Sequence, residues 1–264
     1  MKYKKFLIVA SKLDKAGMNI VTQLRQFGNF DIEVFEKDII HTENIDIKKI
    51  NSYDFIIFAS KHSSKSKEKS LCVHAPGNWR FADHGGEKGR VCKTSALLLK
   101  QMFISLNENK KKFNLKDYKV TMEATHHGPL IEKPCLFIEV GSTEEEWTHK
   151  KASFVIAKTI SETIENFKEN PYSEVAIAIG GPHYCPNFNK IQLNSNVAIS
   201  HVVSSYAFPL TEEMIKEAFD KTEEQVDFFL LDWKGLGNAH MKKEALENLD
   251  KFYIPIKKTS EIEK

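Results

Sequence analysis

Short runs of β-branched and aromatic residues alternate with stretches whose apolar residues fall every three or four positions, and a chain so patterned can fold only as mixed helix and sheet. Phe6 to Ala10 reads as a buried strand, Asp14 to Gln26 as a helix with apolar positions at Ala16, Ile20 and Leu24, and Ile32 to Phe35 and Tyr53 to Ser60 as further strands. Leu71 to His74, Tyr118 to Met122, Cys135 to Val140, Val175 to Ile179 and Val197 to Val203 continue the series of strands. Helical patterns cover Thr94 to Leu106, about Glu145 to Lys168, Glu212 to Asp220 and Met241 to Asn248. The expected architecture is α/β: a mixed, mostly parallel sheet between helices, formed as a single domain over residues 1–264.

Composition narrows the class. A hydrophobic fraction of 41% over 264 residues is enough to bury a substantial core. The basic start MKYKK is followed by the short apolar run Phe6 to Ala10, too short for a signal-peptide core or a membrane span, so a cytoplasmic chain folded from residue 1 and with no membrane partner is expected. Cys72, Cys92, Cys135 and Cys185 are widely spaced with no CxxC pair, which argues against a disulfide framework or a zinc ribbon and fits a reducing compartment. With a net charge of +2, any attraction for a polyanion must come from clustered lysines. The polar segment Lys61 to Ser70, with four lysines, reads as a solvated loop that could touch phosphates or merely confer solubility.

The histidines are placed more tellingly. His74, His84, His126, His127, His183 and His201 fall at strand ends or in the Gly/Pro-rich loops beyond them, where α/β sheets carry ligands, whereas His41, His62, His149 and His240 read as scattered surface residues. In TMEATHHGP, alternation puts Glu123 and Thr125 on one face with His126 and His127 diverging at the tip, a set able to bind a divalent metal or to serve as a base with its orienting partners. In IEVGSTEEEW, Glu144 to Glu146 are accounted for by a helix N-terminus, but Glu139 ends an apolar strand and needs a cation, a metal or a donor if buried. IGGPHYCPNF adds His183 and Cys185, and SHVVSSYAF adds His201 with Ser204 and Ser205; no Gly-x-Ser-x-Gly elbow supports a serine nucleophile. Taken singly, each residue of the TMEATHHGP set is better explained as a hydrogen-bonded turn or core residue. HAPGNWRFADHGGEKGR carries Trp79, Phe81, Arg80 and Arg90; rings here could stack an unpaired base and the guanidinium groups could grip phosphate, or Trp79 and Phe81 could simply anchor the loop. The chain's other arginine is Arg25, so two of three lie in this one segment.

Together HAPGNWR, EATHHGP, EVGSTEEEW, GGPHYCP and SHVVSSYAF resemble the signature segments of the D-aminoacyl-tRNA deacylases of archaea and plants, over roughly Phe6 to Trp233. The resemblance implies a zinc-dependent enzyme with a fold similar to peptidyl-tRNA hydrolase and related phosphorylases, and a monomer is expected. It would hydrolyse the ester joining a D-amino acid to the acceptor end of tRNA. It further implies zinc (Zn2+) on a subset of the histidines, with His74, His127, His183 and His201 as ligands, Glu123, His126 and Glu139 as catalytic groups, and Trp79, Arg80, Phe81 and Arg90 on the substrate. Lysines of the 61–70 loop, Lys88, Lys93, Lys110 to Lys112, Lys242 and Lys243 would follow the RNA backbone. Two rivals use the same residues: a metal-dependent hydrolase or phosphorylase of a small nucleoside or amide, and a non-catalytic tRNA-binding module.

Overall fold

The computed structural model describes residues 3–43, 47–168, 170 and 173–263. In chain order the strands are β1 (Phe6–Ser11), β2 (Asp31–Phe35), β3 (Phe55–Lys61), β4 (Ser70–His74), β5 (Gly77–Asn78), β6 (Arg90–Val91), β7 (Lys119–Met122), β8 (Cys135–Gly141), β9 (Glu174–Ile179), β10 (Val197–Val203), β11 (Phe228–Leu231) and β12 (Ile256–Lys258). The helices are α1 (Lys15–Leu24), α2 (Ile47–Asn51), α3 (Ala96–Lys112), α4 (Glu144–Trp147), α5 (Lys150–Asn166), α6 (Pro186–Asn194), α7 (Glu212–Asp220) and α8 (Ala239–Leu249). The mixed, mostly parallel architecture expected from the alternation is present. Its strands divide between a six-stranded sheet ordered β2-β1-β3-β8-β4-β7 and a fully parallel four-stranded sheet ordered β10-β9-β11-β12.

Strand direction reverses once in the larger sheet, where β4 lies antiparallel to β8 with Cys72 opposite Glu139 and His74 opposite Phe137. Alternation gives each strand of this sheet two different faces. Leu71, Val73, Leu136, Ile138 and Val140 share the core with residues of α1, α3 and α5. The opposite face carries Phe58 and Ser60 of β3, Cys72 and His74 of β4, and Cys135, Phe137 and Glu139 of β8, with only a smaller apolar cluster beneath it. That less covered face holds the polar residues discussed below.

Helix α3 packs against β4 and β7 of one sheet and β10 of the other. The segment after β7 completes the junction: Ala124 N–H donates to His183 O at 2.8 Å and Thr125 N–H to Val202 O at 3.1 Å. Where the sequence suggested one helix over Glu145 to Lys168, the structure has two. The Thr143/Glu146 capping box opens α4, and His149, in extended conformation, starts α5 afresh. The glycine-rich 74–90 segment is loop as expected, closed at its base by the β5–β6 pair. The same loop packs directly on the His-His-Gly-Pro turn: a Cβ on Gly128 would lie 2.3 Å from Gly86 N, so no side chain fits.

Candidate active site

Glu139 projects from the middle of β8 and Glu123 follows the end of β7; both are buried, at 2% and 1% exposure, so neither can rely on bulk water for its charge. Ser60, beside Glu139 on the neighbouring parallel strand, donates its hydroxyl to Glu139 Oε1. Neither oxygen of Glu123 has a hydrogen-bonding partner, yet imidazole nitrogens surround it. His62 Nδ1 lies 3.1 Å and His183 Nε2 3.5 Å from Oε1, while His74 Nε2 and His126 Nε2 each lie 3.8 Å from Oε2. Glu139 is reached by His62 Nδ1 at 3.7 Å, His74 Nε2 at 3.9 Å and His127 Nε2 at 3.9 Å. Phe137 forms the floor, stacked on His74 at 5.3 Å and edge-on to His127 at 4.8 Å.

The rings are oriented from behind. Nδ1 of His74, His126 and His127 faces a backbone carbonyl, of Ala75 at 3.2 Å, Ala124 at 2.9 Å and Gly128 at 2.6 Å. A carbonyl only accepts, so each Nδ1 carries the proton and the lone pair of a neutral ring stands on Nε2. His127 reaches this pose through a left-handed backbone, φ 45°. Instead of diverging, as simple alternation predicts, His126 and His127 both turn toward His74, with ring centroids 4.3 Å and 4.9 Å from it.

Electrostatics divide the imidazoles into two groups. Burial, reinforced by neighbouring rings, pushes His126 well below the usual range and His127 to about 4, so both are neutral near pH 7. Burial opposes the charge on His62, but the two carboxylates outweigh it and raise that ring to about 11; the same balance raises His74. Desolvation likewise opposes charge on Glu123 and Glu139, and the surrounding rings overcome it, holding both below the ordinary carboxylate range. The centre therefore holds two carboxylates whose charge needs cations near them.

These residues fit a divalent ion. Ligand atoms of His74, His126 and His127 lie within 4.8 Å of one another, as do those of His74, Glu123 and Glu139, and of Glu123, His126 and His183. His74 Nε2 is buried with no hydrogen-bonding partner, and the fixed tautomers follow the pattern in which a carbonyl orients a metal-bound imidazole.

Of the candidates read from sequence, Glu123, Glu139, His74, His126, His127 and His183 converge. His201 does not join them. Its ring is buried on β10, Nδ1 at 3.2 Å from Thr125 Oγ1 and Nε2 at 3.3 Å from Lys221 O, leaving no nitrogen for a metal. Trp79 is buried too, donating its indole N–H to Val202 O, and is not free to stack a base. Arg80 spends its guanidinium on the carbonyls of Ala207 and Pro209, and Arg90 pairs with Glu217 of α7 at 3.0 Å. Phe81 is 72% exposed.

His62 is the residue the sequence reading missed, since it opens a segment that looked wholly solvated. It is 5% exposed, and its Nε2 meets Tyr184 Oη at 3.1 Å. The available signal was period two: Phe58, Ser60 and His62 continue one face of β3 past its end.

Two cavities adjoin the cluster and share His84, His126 and His127. One, of 340 Å³, is lined by Asp14, Asp38, His62, Glu139 and Tyr184; the other, of 260 Å³, by Asn78, Arg80, Phe81, Asp83 and Tyr206. A larger cavity of 510 Å³, lined by Lys110, Lys119 and Asn189, shares only Tyr184 with these walls and lies apart from the carboxylates.

Buried bases and carboxylates converging on a cleft of an α/β fold are the equipment of a hydrolase. The comparisons define which kind: the D-aminoacyl-tRNA deacylase family model matches residues 49–254, and the chain belongs to this family. It is 37% identical to the D-aminoacyl-tRNA deacylase of Pyrococcus abyssi over 87% of this chain and 91% of the relative. With that of Archaeoglobus fulgidus it shares 32% identity over 98% of both chains. The crystal structure of AF0625, a conserved protein of unknown function, superposes with a TM-score of 0.90 at 31% identity, over 99% of this chain and 98% of that one.

Proposed function

We propose that this chain hydrolyses the ester of D-aminoacyl-tRNA at the Glu123–Glu139 cluster, releasing free tRNA and the D-amino acid. Membership of the deacylase family supports the reaction. The observation that carries the site is the trio His74, His126 and His127, whose carbonyl-bound Nδ1 atoms turn three Nε2 atoms toward one place beside two buried carboxylates. Those three histidines would hold a zinc ion, with Glu139 or Glu123 adjoining. Zinc bound there would polarise the ester carbonyl and stabilise the developing oxyanion.

The chain's own residues supply the rest. Glu123, flanked by His62 Nδ1 at 3.1 Å and His183 Nε2 at 3.5 Å, accepts a proton from the attacking water, while Glu139, held by Ser60, keeps His62 and His74 in place. His183, at the mouth of the cleft and anchored by Nδ1 to Tyr206 Oη at 2.9 Å, hands a proton to the departing ribose oxygen. His126, expected as an acid–base group, serves better as a ligand because its ring is neutral and tautomerically fixed. His201 and Arg90 have no part in this centre.

We further infer that the enzyme acts as a monomer in the cytoplasm on the acceptor end of tRNA. The deacylase family supports tRNA as the partner, and four free, buried cysteines suit a reducing compartment. The direct test is a time course of amino-acid release from D-tyrosyl-tRNA and L-tyrosyl-tRNA, with and without chelator, alongside elemental analysis. Release should favour the D-ester, require stoichiometric metal and stop when the metal is stripped. Equal turnover of both esters, or full activity without metal, would overturn the reading.

A further inference from the structure

An aminoacyl-adenosine is a long ligand, and neither cavity beside the cluster holds all of it. At 340 Å³ and 260 Å³ they lie near or below the size of about 300 Å³ at which drug-sized ligand pockets begin. They share His84, His126 and His127 as walls, and His183 of the first is hydrogen-bonded to Tyr206 of the second. The ester of a substrate occupying both would therefore lie across the rings that face Glu123 and Glu139.

The two cavities differ in chemistry. Five large apolar side chains are exposed among the described residues, and two of them, Phe81 at 72% and Tyr206 at 59%, line the smaller cavity. Exposed rings at the wall of a cleft are the surface on which an unpaired base stacks. The span between them is fixed: Arg80 donates to the carbonyls of Ala207 and Pro209, and Trp79 donates to Val202 O, which ties the segment bearing Phe81 to the segment bearing Tyr206. Arg80 is thus a positioning residue for an aromatic pair. The larger cavity has no such exposed rings and presents Asp38, whose side chain caps nothing in its own 3-10 turn, Ile39–His41. A part-buried carboxylate with no side-chain hydrogen bond or ion pair among the described residues suits an α-ammonium group.

We propose that the terminal nucleoside of the substrate enters the Phe81–Tyr206 cavity while the aminoacyl group turns into the Asp38 cavity, setting the ester over His126 and His127. This orientation rests on the deacylase reading given above. It makes adenosine and the amino acid competitors at separate walls of one cleft.

The test uses two competitors and two variants of the full-length protein in the hydrolysis of D-tyrosyl-tRNA. Adenosine should inhibit competitively, with an inhibition constant that rises about tenfold in Phe81→Ala and returns toward the wild-type value in Phe81→Trp. D-Tyrosinamide should show the converse, weakening about tenfold in Asp38→Asn and by less than about twofold in Phe81→Ala. The proposal is overturned if adenosine does not compete, or if both variants shift both inhibitors alike. Failure of the deacylase reading looks different: wild-type protein would then leave D-tyrosyl-tRNA intact, and calorimetric titration with adenosine would still show whether Phe81 makes a nucleoside site.

Discussion

Asp14 shows how a single carboxyl can couple the cleft to the fold. It caps α1, accepting from Gly17 N–H at 2.9 Å and Lys61 N–H at 2.8 Å, and it lines the Asp38 cavity. Burial, only partly offset by those two donors, pushes its carboxyl up to about 6. The folded chain therefore keeps a proton there that the unfolded chain releases at lower pH. Its contribution to stability is complete below about pH 4 and is lost as pH rises through 6. In Asp14→Asn, denaturation between pH 4 and pH 7 should show a stability curve flatter by about 2 kcal/mol; identical slopes in both proteins would refute the assignment. At this scale the sequence was informative where chemistry and position agreed. Glu123, Glu139, His126 and His127 stood at strand ends that do converge, whereas His201 looked equivalent and was not. Its distinction is the register shift of β10 between Ile199 and Val202, which a single sequence does not reveal.

Among the elements, α3 and α6 meet through one lysine. Lys100 Nζ donates to the carbonyls of Gln192, Ser195 and Val197 at 2.7, 2.8 and 2.9 Å, satisfying the C-terminal end of α6 and the entry to β10. Lys100→Met should therefore cost about 3 kcal/mol in urea denaturation, and a loss below about 1 kcal/mol would mean that water replaces the ammonium without penalty. Eight of the twelve strands among the described residues, and most of the helices, were legible because their buried faces repeat every two or every 3.6 residues. β11 is a four-residue run, and β12 is an edge strand of three partly exposed residues; both are too short for periodicity to separate from loop. α6 was hidden for another reason: it starts at Pro186 directly after the left-handed Cys185, inside a segment whose glycines and prolines read as turn.

For the whole molecule, a net charge of +2 means that attraction for RNA must be local. Lys65, Lys67, Lys88, Lys111, Lys112 and Lys243 are exposed. If they follow phosphates, KM for D-tyrosyl-tRNA should rise about tenfold between about 50 and about 200 mM salt, while the inhibition constant of adenosine changes little. A KM flat with salt would remove these lysines from the footprint. The two-sheet division described above carries a consequence for durability. His183 comes from the loop after β9, whereas Glu139, His74 and His62 ride on the six-stranded sheet; the two sheets share one apolar core with α3, and the amides of Ala124 and Thr125 add hydrogen bonds across the junction. Because an imidazole of one sheet must meet the carboxylates of the other, a small slip between the sheets would break the constellation while each strand stays paired within its own sheet.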